Sequence, residues 1–340
     1  MENGLAKLKA LGIMLISPGS TFSVPQLAFA LLIAFAFLVI RHKRRRGSAR
    51  FDVVARAMLA RRIIFNRSTY ADLAYFLINS LALGGLIGWG LFSARAISNF
   101  EIGALTAHFG ARATTTAPDW ALRAVMTGLL FLAYEFGYWL DHYLKHRIPA
   151  LWELHKTHHT AEVLTPVTVF RVHPLDTLIF ANIQAIVVGA VAGLSSYLLA
   201  KEAPIYSLDG VNVVLIVFVW AYVHLQHSQF WIPFTGALGR VFMSPAHHQI
   251  HHSTDPAHFN SNLGSCLAIW DWLFGTLVKP QRESPRLRFG VDEPGVNHHS
   301  LMALLIEPIL NALVALVRPA AAVATPPAAA QPARPGETAH

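Results

Sequence analysis

Apolar positions along this chain gather into five long runs, at residues 24–40, 70–92, 120–140, 175–200 and 211–225. A helix crosses the hydrocarbon core of a bilayer with roughly 20 apolar residues, so each run predicts one span. A sixth run, 301–317, contains Glu307 and Pro308 and predicts a helix lying on the membrane or against the body of the protein. The short apolar stretch 11–16 ends in Ser17-Pro18-Gly19-Ser20 and has no A-x-A-like cleavage site. It predicts a surface helix and not a removed signal. The expected fold class is all-α: a polytopic membrane helix bundle of about five spans with a cytoplasmic, histidine-rich helical cap.

The polar segments between the runs predict orientation. Ten lysines and arginines lie between Arg41 and Arg67, beginning with Arg41-His42-Lys43-Arg44-Arg45-Arg46. Four more fall in 141–172 and five in 226–300, whereas the opposite-side loops 93–118 and 201–208 hold two and one. Positive loops stay on the cytoplasmic side, which assigns 41–67, 141–172 and everything after 226 to that side. Ala- and Arg-rich composition favours a bacterial cytoplasmic membrane, with the endoplasmic reticulum the expectation for a eukaryotic source. The net charge of +8 would otherwise suit a nucleic acid, but its juxtamembrane position argues for topology, and no nucleic-acid partner is expected.

Composition closes off other classes. With 54% hydrophobic and 14% charged residues and a mean hydropathy of +0.43, the chain is neither disordered nor an ordinary soluble domain. A single cysteine, Cys266, rules out a disulfide scaffold. Four regions are expected: N-terminal membrane segments and a basic loop in 1–117, a catalytic domain in 118–280, a segment with an amphipathic helix in 281–317, and a disordered Ala/Pro tail in 318–340.

Histidine is the unusual component. Of 18, six fall in 142–173 and seven in 224–258, next to the ends of the third and fifth spans. Residues three and four apart share a helix face. His142 and His146 therefore make a pair aimed at one spot, and His155, His158, His159 and His248, His251, His252 make two triples. Neutral imidazole binds iron, zinc, copper or nickel, whereas calcium and magnesium want oxygen. So many nitrogens exceed the needs of one metal, and two ions sharing a site is the economical reading. Clustered histidines also serve in proton relays and as haem ligands. Haem, however, needs isolated histidines facing across helices, and a transport path needs polar residues through the depth of several spans. His42, His108, His298, His299 and His340 are read as isolated polar residues.

An ordered series runs through Glu135-Phe136, His142-Tyr143-Leu144-Lys145-His146-Arg147, Pro149-Ala150-Leu151-Trp152, His155-Lys156-Thr157-His158-His159, Arg171-Val172-His173-Pro174-Leu175-Asp176 and His227-Ser228-Gln229. It closes with Ser244-Pro245-Ala246-His247-His248-Gln249-Ile250-His251-His252-Ser253 and Asn262-Leu263-Gly264. Over about residues 120–280 this series resembles the fatty acid hydroxylase and sterol desaturase superfamily of integral membrane, non-haem di-iron enzymes.

The resemblance implies metal ligands at His142, His146, His155, His158, His159, His227, His248, His251 and His252. His224 stands where relatives have one histidine or a wider pair, Gln229 stands where many have Asn, and His247 points off the face of its triple. His173, in a His-Pro step, is read as structural as readily as ligating. Glu135, two turns before His142 within an apolar span, is expected to orient a ligand imidazole or carry protons.

The implied cofactors are two Fe2+ ions and O2, and the implied reaction is hydroxylation of a lipid: a fatty acyl chain or an aminolipid such as an ornithine lipid. A lipid or sterol desaturase with the same metal centre is the nearest alternative. A non-enzymatic metal or haem membrane protein is the alternative of another class. The expected partners are a membrane lipid substrate and an external electron donor, because the chain has neither the cysteines of an iron–sulfur cluster nor a G-x-G-x-x-G signature. That donor would be a separate reductase or small electron carrier. The aromatic run 266–275 is expected to form an interfacial helix at the opening to the bilayer or to pack in the core.

Overall fold

The computed structural model describes residues 12–86, 92–201, 204–293 and 295–317, together with Lys9. The Ala- and Pro-rich tail expected to be disordered lies outside the described residues. The fold is mostly helical. Its main helices are α1 (Val24–Arg46), α2 (Arg67–Leu86), α3 (Ala94–Phe109), α4 (Asp119–Arg147), α5 (Pro149–His159), α6 (Pro174–Leu199), α7 (Val213–Gln226), α8 (Pro245–His251), α9 (Ile269–Phe274), α10 (Leu301–Leu305) and α11 (Glu307–Val317). Residues 12–16 are also helical, with Ile13 and Ile16 exposed.

Two of these helices, α1 and α6, are long and apolar enough to cross a membrane. Their outward faces, like those of α2, α4 and α7, carry bare aliphatic side chains; Leu32 is 64% exposed, Leu77 60% and Val217 65%. Such a belt of exposed apolar surface suits lipid and not water. Between the helices the core is apolar, with Ala30 and Ala34 of α1 packed with Phe131 of α4 and Leu225 of α7. Small residues permit close approach elsewhere. A Cβ on Gly189 would lie 2.7 Å from the Ala94 carbonyl oxygen, so α6 and α3 touch backbone to backbone.

That contact corrects one expectation. Residues 94–109 form a helix packed along α6, where the hydropathy pattern predicts only a loop. Arg95, Ser98, Asn99 and Glu101 dilute its apolar face. The run 301–317 is helical in two pieces, broken at Ile306 before Glu307-Pro308, and α11 packs against α5 through Ala312, Ala150 and Leu154. The aromatic run is divided too. Cys266, Leu267 and Ala268 are buried, while Trp272, Leu273 and Phe274 at the end of α9 are exposed.

Local signals fix where the site-bearing helices begin. Ile148 is extended ahead of Pro149, ending α4 and starting α5, because the residue before proline avoids helical geometry and proline suits the first helical position. His173-Pro174 starts α6 in the same way, and Ser244-Pro245 starts α8 with a capping box formed with His247. The turn Asp209-Gly210, both residues at positive φ, closes the two-residue strands Ser207–Leu208 and Val211–Asn212 into a hairpin before α7.

Candidate metal centre

The C-terminal turns of α4 bring His142 and His146 past the end of the apolar run, onto the face met by α5 and α8. All nine histidines expected as ligands converge there, in two groups. His142, His146, His155, His159 and His251 each offer a ring nitrogen within 4.8 Å of the others. His158, His227, His248 and His252 form the second group on the same criterion. The groups adjoin, with the His159 and His252 rings stacked at 4.6 Å between centroids.

The spacing rule needs a correction here. Each HxxHH triple was expected to aim at one spot, yet both divide: His155 and His159 join the first group and His158 the second, while His251 joins the first and His248 and His252 the second. Adjacent helical positions diverge by about 100°. A helix lying between two centres therefore feeds both.

Ring orientation is set from behind. The Nδ1–H of His142 donates to the Leu263 carbonyl at 2.8 Å, that of His251 to Ser261 at 2.8 Å, and that of His158 to Arg171 at 3.2 Å. His155 Nδ1–H donates to Asp176 Oδ2 at 3.1 Å. A histidine held at one nitrogen turns the lone pair of the other forward. In the first group the Nε2 atoms of all five histidines are buried without a hydrogen-bond partner. In the second, the Nε2 atoms crowd together: His248 to His227 at 2.8 Å, His227 to His158 at 3.0 Å and His252 to His248 at 3.1 Å.

Burial pushes every one of these imidazoles below the ordinary value of 6.5. It takes His158 to about 3 and His251 to about 4, and the other seven well below their usual range. They are neutral at pH 7 and able to donate lone pairs. A buried polar atom left unpaired costs about 1–3 kcal/mol, and converging lone pairs repel, so a cation at each focus resolves both penalties. An all-nitrogen donor set fits a transition metal.

The remaining expected residues lie outside the two groups. His224 is buried with Nδ1 3.4 Å from the Pro166 carbonyl. His173 caps α6, its Nδ1 accepting from the Leu175 N–H and its Nε2–H donating to the Leu305 carbonyl, both at 3.1 Å. Both its ring nitrogens are used, which leaves it a structural part. Glu135 touches no imidazole. Its Oε2 accepts from the backbone N–H groups of Cys266 and Leu267 at 2.8 Å each, and so holds the loop whose Leu263 and Ser261 carbonyls orient His142 and His251.

The description "fatty acid hydroxylase" attaches to a family model matching residues 127–276, which contain all nine histidines. Those residues are a fatty acid hydroxylase domain. The chain is 32% identical over 160 residues to an ornithine lipid hydroxylase of Rhizobium tropici, covering 47% of this chain and 43% of that protein. It is 29% identical over 166 residues to an alkylglycerol monooxygenase of Xenopus tropicalis, covering 49% of this chain and 33% of the relative. A putative Delta(7)-sterol-C5(6)-desaturase of Arabidopsis thaliana is 28% identical over 171 residues, 48% and 52% of the two chains. The chain thus spans about half or less of the length of these relatives. No solved structure matches it.

Several supports of the hydroxylase domain escape sequence reasoning. Asp176 bonds His155 and also sits 2.5 Å from Lys145 Nζ, which pairs with Asp141 at 2.6 Å. Burial works against the Lys145 ammonium, but Asp176 and Asp141 outweigh it and hold the pKa above its ordinary value. Arg171 is fully buried, paired with Asp72 of α2 at 3.0 Å and donating to the Thr157 carbonyl, which fixes the backbone that orients His158. Asp271 accepts from the Leu263 and Gly264 N–H groups at 2.8 Å each. Only Asp141–Lys145, an i,i+4 pair beside the His142/His146 pair, leaves a local sequence signal.

Proposed function

We propose that this protein is a membrane-bound di-iron oxygenase that uses O2 to hydroxylate a lipid, a fatty acyl chain or an aminolipid of the ornithine lipid kind. The observation that carries it is the pair of buried, adjoining, all-imidazole groups within a fatty acid hydroxylase domain. The first group, His142, His146, His155, His159 and His251, would hold one iron, and His158, His227, His248 and His252 the other. The chemistry such an iron pair supplies when bound is activation of dioxygen for attack on an unactivated C–H bond.

The chain's own part is placement. Leu263, Ser261, Arg171 and Asp176 fix the rings of His142, His251, His158 and His155, burial keeps the imidazoles unprotonated, and the packed helices exclude bulk water. Five crossings would leave the histidines at the cytoplasmic boundary, where a lipid reaches them with its apolar part still in the bilayer. Electrons would come from a separate reductase or small carrier.

The relatives include a sterol desaturase, so removal of two hydrogens is the competing outcome at the same centre. Mass spectrometry of lipids from cells with and without the gene separates them. A product heavier by one oxygen atom is expected, a product lighter by two hydrogen atoms assigns desaturation, and lipids unchanged by the gene contradict both.

A further inference from the structure

At the polar end of α1 lies a cavity outside the histidine centre. It encloses about 630 Å³, with Phe37 and Ile40 on its apolar wall and Arg41, Arg44, Arg45 and Arg282 on its charged one. A smaller cavity of about 330 Å³ shares Arg41 and Arg45 and adds Leu38, Val53 and Val54. One acid offsets the four guanidiniums: Glu283 pairs with Arg45 and lies 3.7 Å from Arg41. Arg44 and Arg282 form no ion pair among the described residues. Arg41 is anchored by donating to the Trp231 carbonyl at 3.1 Å.

We propose that this cavity binds the headgroup phosphodiester of an anionic membrane phospholipid, whose acyl chains follow the apolar face of α1. The charge is right, since guanidinium groups match phosphate oxygens in a forked geometry. The depth is right as well, because the arginines follow directly on the apolar run of a helix able to cross a bilayer. The shape separates a lipid from other anions. Free phosphate would leave the Phe37 and Ile40 wall wet, and an acidic protein has no use for a wall continuous with the exposed Phe29 and Leu32. The site does not depend on what the histidines bind.

Native mass spectrometry of the full-length protein, released from phosphatidylcholine nanodiscs containing phosphatidylglycerol, tests this. Wild type is expected to retain phosphatidylglycerol in preference to phosphatidylcholine. Arg44→Ala with Arg282→Ala, both exposed positions, should weaken retention by about fivefold per arginine. Glu283→Gln, which frees Arg41 and Arg45, should strengthen it. Melting temperature in phosphatidylcholine alone should not move in either variant, which separates lost binding from lost fold. Equal phosphatidylglycerol retention by wild type and the double variant overturns the proposal. So does equal stabilisation of wild type by inorganic phosphate or by an acidic peptide.

Discussion

Asp176 serves two neighbours with one carboxylate, orienting His155 through Oδ2 and neutralising Lys145 through Oδ1. Asp176→Asn keeps the shape and removes the charge. Loss of a hydrogen-bonded carboxylate behind a ligand imidazole typically costs 10–100-fold in metal affinity, so about that loss is expected, read by metal content after dialysis against graded chelator. Affinity equal to wild type would leave Asp176 only as the charge partner of Lys145. The contrast between His155 and Asp176 shows what was legible at this scale. The histidines announce themselves by chemistry and spacing, whereas the partner of His155 lies 21 residues away and is joined to it only by the fold. Spacing also failed to foresee that neighbouring histidines of one triple address different centres.

At the scale of elements, the histidine-bearing stretches were legible as helices from their three- and four-residue spacing, while the places where α5 and α8 begin rest on Pro149 and Ser244-Pro245, which that spacing does not use. The loop over residues 261–267 was not legible. It has no period, and it is held by Glu135, 131 residues away, and by Asp271 just beyond it. Gly264 is its tightest point, since a Cβ there would lie 2.3 Å from the Leu267 carbonyl oxygen. Gly264→Ala is expected to displace the Leu263 carbonyl from His142, destabilise by about 1–3 kcal/mol through overpacking and lower metal content. Gly128→Ala in α4 meets nothing within 4 Å and should be neutral or stabilising. Melting curves and metal analysis of the two variants check the pair, and equal behaviour would contradict the loop's role. The missed helix α3 has another cause: Arg95 and Asn99 on its exposed side, and Ser98 and Glu101 against α6, make it too polar to register as an apolar run.

Across the whole molecule part of the usual polarity is inverted: aliphatic side chains face outward, and imidazoles, carboxylates and a guanidinium are buried beside the apolar core. That inversion carries a pH signature once metal is removed. The folded imidazoles sit below 6.5, at about 3 for His158 and about 4 for His251, while in the unfolded chain they return to the ordinary value. Below 6.5 the unfolded state binds protons that the folded state refuses, so acid favours unfolding. The chelated protein should hold a constant melting temperature above pH 6.5 and lose it steadily as pH falls towards about 4. A melting temperature flat across that window would mean that the histidines are not buried as described.

The central claim is that the nine imidazoles hold two ions, and counting them tests it most directly. Iron per chain, measured on full-length protein purified under reducing conditions, should be two in wild type. In His227→Ala with His248→Ala it should be one, with the group of five still loaded. A wild type that binds one iron or none under iron-replete conditions, or a double variant that keeps both, would contradict it.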